Sequence, residues 1–240
     1  MLQWPWPMDE RMIMKKIDVK TKKLFDLTET IAQPLFEKYT YPWEVFKELG
    51  NFIEELGASL SELEYQRIGK NIWVHRSVKV MPTVCMGGPL LIQKGASIRN
   101  GAYFRGNVIV GEGVVAGNSC EFKSAILFNG AQVPHFSYVG DSVIGHKSHL
   151  GAGVITSNLK SDKSDVVLHL DDGEFETGLR KFGAMVGDEA EIGCSTVLNP
   201  GTIIGKNAMV YPLSCVRGCV KKSCIYKSAD NVVERSKKKL

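Results

Sequence analysis

No cysteine pair in the 240 residues has the CxxC spacing, no basic-then-apolar leader opens the chain, and no apolar run is long enough to cross a bilayer. The six cysteines, Cys85, Cys120, Cys194, Cys215, Cys219 and Cys224, fall at irregular intervals. That argues against a disulfide framework and fits a reducing cytoplasm. The missing CxxC also speaks against a zinc site at Cys215, Cys219 and Cys224, so no metal is expected there. An excess of one charge is lacking as well: 30 Lys and Arg against 26 Asp and Glu leave a formal net charge of +4. The lysines are dispersed apart from the run Lys237–Lys239, which reads as a solvated end. Neither nucleic acid nor a membrane is expected as a partner.

What remains is an ordinary apolar content of 44%, enough for a full core. Met14, followed by two lysines, reads as an alternative start, so residues 1–13 are expected to carry no function. From about Lys23 to Gly69 the apolar spacing is helical, with Leu24, Leu27, Ile31 and Leu35 in one stretch and Val45, Phe46, Leu49, Phe52, Ile53 and Leu56 in another. Pro34 interrupts the first stretch. Pro42 opens the second, where its missing N–H costs nothing. From Ile72 the chain turns to short Val/Ile-rich pieces punctuated by glycine, which excludes long helices. The expected organisation is an irregular segment over 1–22, a helical cap over 23–70, a β part over 71–221 with an inserted loop at 158–182, and a basic tail over 222–240.

The β part repeats. Apolar or small residues recur at every sixth position through Ile92, Ile98, Phe104, Val110, Ala116, Phe122, Phe128 and Pro134. The period then slips, resumes at Ile144 and Leu150, and runs again through Val186, Ile192, Leu198, Ile204, Val210 and Val216. A sandwich of hairpins would not hold a six-residue phase this long. Three hexads make one triangular coil, and stacked coils pair backbone to backbone at about 4.8 Å per layer while the repeating aliphatics fill the prism. About six coils are expected. The polar run Asn158–Lys163 and a hairpin at Asp171-Asp172-Gly173 interrupt the stack, and a loop leaving a regular solenoid is where function tends to sit.

Three stretches carry a more specific resemblance: Glu121-Phe122-Lys123-Ser124, His135-Phe136-Ser137-Tyr138-Val139-Gly140-Asp141, and Leu150-Gly151-Ala152-Gly153-Val154-Ile155-Thr156-Ser157-Asn158. They resemble the acetyltransferase domain of the bifunctional N-acetylglucosamine-1-phosphate uridyltransferases and glucosamine-1-phosphate acetyltransferases, within the hexapeptide-repeat acyltransferases. The run Thr177–Asp188 is similar to the archaeal and clostridial version of that domain, which is joined to a sugar-phosphate nucleotidyltransferase. The resemblance covers about residues 72–220. It implies a left-handed parallel β-helix, a hand that periodicity alone does not give, since parallel crossovers are overwhelmingly right-handed. It also implies a homotrimer with sites between subunits.

By the same resemblance, acetyl-CoA is the co-substrate and an amino-sugar 1-phosphate the acceptor, glucosamine-1-phosphate first and galactosamine-1-phosphate second. His135 is then the general base that deprotonates the sugar amine, and Arg105 and Lys123 clamp the phosphate. Tyr138 and Asn158 hydrogen-bond the sugar and the reacting groups, and the backbone at Ala152 receives the thioester carbonyl. His149 stands where the family carries asparagine and takes over its contact with sugar or acetyl group, with Lys160 and Lys163 on the following loop. Coenzyme A is expected along the later coils near Cys194, Tyr211 and Arg217. The nucleotidyltransferase half of the relatives needs a Gly-rich loop and a Rossmann-like array of over two hundred residues, against about seventy mostly helical ones here, so uridyl transfer is not expected. A separate nucleotidyltransferase is the expected partner for that step.

Two other readings compete. One is a non-catalytic trimeric scaffold or sugar-nucleotide-binding protein, because fold alone does not fix function. The other is a zinc enzyme of the carbonic-anhydrase β-helix type, prompted by the proximity in sequence of His135, His146 and His149.

Overall fold

The computed structural model describes residues 14–235; residues 1–13 and the lysine run Lys237–Lys239 lie outside it. The chain is mainly β, a parallel solenoid of stacked coils with a few short helices before it. Among the described residues no helix is long and apolar enough to cross a membrane.

Each coil passes through three faces. The first face carries eight rungs, Ile72–His75, Leu90–Ile92, Val108–Val110, the second halves of Glu121–Leu127 and Tyr138–Ile144, Ala184–Val186, Thr202–Ile204 and Cys219–Val220. The second runs from Ser97–Ile98 through Val115–Asn118, Gln132–His135, His149–Leu150, Glu191–Ile192 and Met209–Val210 to Cys224–Ser228. The third holds Cys85–Met86, Tyr103–Phe104, the first halves of Glu121–Leu127 and Tyr138–Ile144, Ile155–Thr156, Val197–Leu198 and Cys215–Val216. With eight rungs on the first face and seven on each of the others, the stack runs to about seven coils, against about six expected. Identical registers place like side chains above one another. Val74, Ile92, Val110, Leu127, Ile144, Val186, Ile204 and Val220 form one inward column, and all are buried in the prism.

Two coils are one residue short. Leu90 pairs with Val108, eighteen residues on, but Val108 pairs with Ala125 and Ala125 with Ser142, seventeen on. The missing residue is lost at the corner between third and first face, where Ser124 (φ +46°) and Asp141 (φ +47°) each turn the chain alone. After Phe122 the inward positions are therefore Leu127, Val133 and Val139. Phe128 and Pro134, expected inside, are displaced from the prism core. Phe128 packs outside it, its ring centroid 5.1 Å from that of Phe25 and 5.5 Å from that of Phe36.

The helical segment does not cap an end of the stack; it lies along the first face. Its pieces are the turns Thr21–Leu24 and Gln33–Phe36, the 3-10 turns Leu27–Glu29 and Pro42–Lys47, and the helix Leu49–Ser59. They cover the outward column Trp73, Leu91, Ile109, Ile126, Val143, Met185, Ile203 and Cys219, all buried in one cluster with Leu24, Phe25, Leu35, Phe36 and Trp43. Water is excluded so fully there that burial pushes the Cys219 thiol up to about 12. A Cβ on Gly57 would sit 2.4 Å from the Trp73 ring, so only glycine lets the helix approach so closely. The insertion joins this cover: Val167–Leu170 and Gly173–Glu176 form the expected antiparallel hairpin, and Phe175 and Phe182 meet Trp43 at 5.6 and 5.3 Å.

The segment expected as a basic tail is, up to residue 235, part of the fold. Cys224–Ser228 pairs in parallel with Met209–Val210 and folds back on Asn231–Glu234. Cys224, Tyr226 and Val232 are buried and close the last coil, whose open apolar end would otherwise face water.

Candidate functional site

Two edges of the third face carry the polar groups. Where the chain turns from second to third face, a left-handed residue recurs on successive coils: Ser119, Phe136, Gly153, Ser195 and Leu213. Just before them stand Asn118, His135, Ala152 and Cys194, bound to one another through the backbone: Phe136 N donates to Asn118 O (2.9 Å), Gly153 N to His135 O (3.1 Å) and Ser195 N to Ala152 O (2.8 Å). His135 is exposed, and among the described residues its ring makes no hydrogen bond. Ala152 N–H likewise donates to no protein acceptor among them. Tyr211, 41% exposed, flanks this edge one coil beyond Cys194.

The opposite edge, between third and first face, holds the cations. Arg105, at the end of Tyr103–Phe104, reaches one rung on and pairs with Glu121 at 2.7 Å, which raises its pKa further. Lys123 Nζ lies 3.2 Å from both oxygens of Asp141. Asp141 also accepts a hydrogen bond from Asn158 Nδ2, which in turn lies 3.2 Å from the Tyr138 hydroxyl. Asn158 is held there by the stem of the insertion, since its carbonyl accepts from Phe182 N at 3.0 Å. Burial, with the charges of Asp141 and Glu121, pushes the Tyr138 phenol above its ordinary range. Asp141 is the centre of this network and Glu121 its neighbour. Neither stands out as a site residue in the sequence, although the phase slip falls on Asp141 itself.

The Tyr138 ring lies flat over the strand because the next outward position is Gly140. A Cβ there would meet the phenol oxygen at 2.4 Å and Cζ at 2.6 Å. Gly140→Ala should therefore cost about 1–3 kcal/mol by overpacking, read by denaturant unfolding. In a Tyr138→Ala background the same change should cost under about 0.5 kcal/mol, the mark of a purely pairwise clash; an equal cost in both backgrounds would refute it.

The remaining candidates are dispersed. His149 stands on the second face with Nδ1 3.1 Å from Glu191, and His146 lies 3.3 Å from Glu29 at the corner between first and second face. With His135 at a different corner, the three histidines do not converge within one chain, and among the described residues no group of three His, Cys, Asp or Glu side chains is placed to hold a metal ion. Lys160 is bound within its own loop, 2.6 Å from Ser164 Oγ, and Lys163 is exposed at φ +60°. Arg217 follows the strand Cys215–Val216 on the cation edge, apart from Cys194 and Tyr211.

Among known proteins, residues 86–168 match the family described as the GMPPB C-terminal domain. The bifunctional protein GlmU of Methanococcus vannielii is 32% identical over 197 residues, 81% of this chain and 47% of that protein. The bifunctional sugar-1-phosphate nucleotidylyltransferase/acetyltransferase of Sulfurisphaera tokodaii is 32% identical over 151 residues, 55% of this chain and 38% of its own length. The chain thus spans less than half the length of each of these two relatives. A solved structure of a variant of AntD, an N-acyltransferase from Bacillus cereus in complex with dTDP and coenzyme A, is 15% identical, covering 65% of this chain and 84% of that one at a TM-score of 0.38.

Proposed function

We propose that this chain, similar as it is to the acetyltransferase half of GlmU-type bifunctional sugar-1-phosphate enzymes, moves an acetyl group from acetyl-CoA to the amine of an anomerically phosphorylated amino sugar, glucosamine-1-phosphate before galactosamine-1-phosphate. The observation that supports it best is the line of His135, Ala152 and Cys194 along one edge, an exposed imidazole beside an unengaged backbone N–H. In this reading the amine attacks the thioester carbonyl while His135 takes its proton. The carbonyl oxygen, now anionic, is held by Ala152 N–H; the C–S bond then breaks and the thiolate recovers the proton. Coenzyme A runs from Ala152 past Cys194 to Tyr211.

The clamp lies elsewhere on the same chain. His135 and Asp141 stand at opposite edges of the third face, six residues apart across the corner at Phe136, a contour of at most roughly 20 Å at about 3.3 Å per residue. In a 2-amino sugar the amine and the anomeric phosphate sit on adjacent ring carbons, so one chain cannot offer both groups to one acceptor. A second copy that sets its Arg105–Lys123 edge against the His135 edge of the first supplies the missing half, which is the role of the trimer in this proposal. On binding, the phosphate displaces Glu121 and Asp141 from the cations.

The test is free-thiol release from acetyl-CoA with purified protein and a panel of hexosamines. Turnover confined to anomerically phosphorylated amines is expected. Turnover that ignores the phosphate would remove the clamp, and none with any amine, despite measurable coenzyme A binding, would favour the scaffold.

A further inference from the structure

N-terminal to His135 on the same edge lies an open groove of about 510 Å³ lined by Lys79, Arg99, Asn100 and Asn118, with Met81 and Ile98 at its floor. Apart from the Asn118 carbonyl, which accepts from Phe136 N, its lining takes part in none of the contacts described above, and among the described residues no carboxylate lines it. Arg105 and Lys123 are each neutralised by a carboxylate. Lys79 and Arg99, in contrast, take part in no ion pair among the described residues. The two amides are oriented to match: Asn118 Oδ1 accepts from Ser119 Oγ (2.9 Å) and Asn100 Oδ1 from Thr83 Oγ1 (3.2 Å). Among the described residues each –NH₂ is left without a protein acceptor, a donor set suited to an anion.

The position sets the size of that anion. Asn118 is the strand partner of His135, one rung away. Arg99 lies on the rung before it, where Ile98 pairs with Ala116, and Lys79 adjoins Val80, which bridges to Ile98. At about 4.8 Å per rung the backbones of the two cations are displaced roughly 10 and 14 Å from that of His135 along the axis of the stack, with Lys79 further offset along its strand. A phosphate on the carbon next to the reacting amine falls short of this, whereas a diphosphate and its nucleoside extend into it. The donor occupies the opposite, C-terminal side of His135, so an acceptor entering along this edge has the groove in front of it.

We propose that the groove binds the diphosphate of a nucleoside-diphosphate amino sugar, so that the nucleotide-linked amine is accepted beside the 1-phosphate. The inference rests on the acetyltransferase reading for its catalytic consequence but not for its binding one. Isothermal titration with uridine diphosphate tests binding alone: the unsubstituted protein binds it, and Lys79→Gln with Arg99→Gln weakens binding by about tenfold or more, as expected for loss of charged hydrogen bonds, with the melting temperature unchanged. In the thiol-release assay the same variant raises KM for uridine-diphosphate glucosamine by a similar factor at constant kcat and leaves glucosamine-1-phosphate kinetics unaltered. Absence of uridine diphosphate binding, or binding that the double substitution leaves intact, overturns the groove whether or not acetyl transfer is found. Binding of the expected kind with no turnover of any amine overturns the acetyltransferase reading and keeps the groove.

Discussion

His135→Ala lowers the rate of acetyl transfer by about 10²–10⁴-fold, the range of a lost general base, with no change in melting temperature or oligomeric state. The separation of activity from stability follows from which atoms of His135 the fold uses. Its carbonyl accepts hydrogen bonds from Gly153 N (3.1 Å) and Ser137 Oγ (3.0 Å), tying the corner between second and third face to the next coil. Alanine keeps that carbonyl. The imidazole is exposed, with the tilted Phe136 ring at 6.4 Å as its only ring contact among the described residues, so its removal leaves no cavity and no orphaned partner. The measurement pairs kcat for thiol release with calorimetric unfolding and sedimentation of the same preparation. A fall in melting temperature or a loss of assembly that accounts for the lost rate would make the ring structural.

The solenoid was legible because its interior asks the same thing of every coil. One inward aliphatic per hexad and a small residue at the turn suffice, and Ile92 through Phe122 and Val186 through Val216 supply them in phase. Between those runs the phase is ambiguous in the sequence for a physical reason. The corner shortened by one residue at Ser124 moves the inward position from Phe128 to Leu127, both of them apolar, and the one at Asp141 shifts the phase again to Ile144. Ile126, Leu127 and Phe128 are all buried, two outward and one inward, and hydrophobicity alone cannot tell the directions apart. The same ambiguity hid the place of the N-terminal segment. Leu91, Ile109 and Val143 read as ordinary strand interior, yet they form the outer surface of the first face, and a face so apolar must be covered by something. The motif at His135 marks one edge in the sequence, while the network at Asp141 leaves no local signal because its partners, Lys123 and Asn158, meet it only through the stacking of coils.

Phe128→Ala should be among the most destabilising single truncations in the molecule and should act on the cover before the prism. The ring is fully buried at the junction of Phe25 and Phe36 and belongs to the outer cluster, not to the prism core. Removing an aromatic side chain from such a site costs about 3–5 kcal/mol through lost burial and the cavity left behind. The inward column, with Leu127 among its members, is untouched by this loss. Hydrogen exchange followed by mass spectrometry should therefore show faster exchange in the helix Leu49–Ser59 and the turns before it, at denaturant concentrations where Val108–Val110 and Ala184–Val186 remain protected. Denaturant unfolding should lose the stated free energy. Leu127→Ala gives the contrast: its cavity opens inside the prism, and protection of the rungs on either side should fall together with that of the cover. Identical exchange patterns in the two variants would mean that both side chains share one core, and the one-residue slip at Ser124 would then be misplaced.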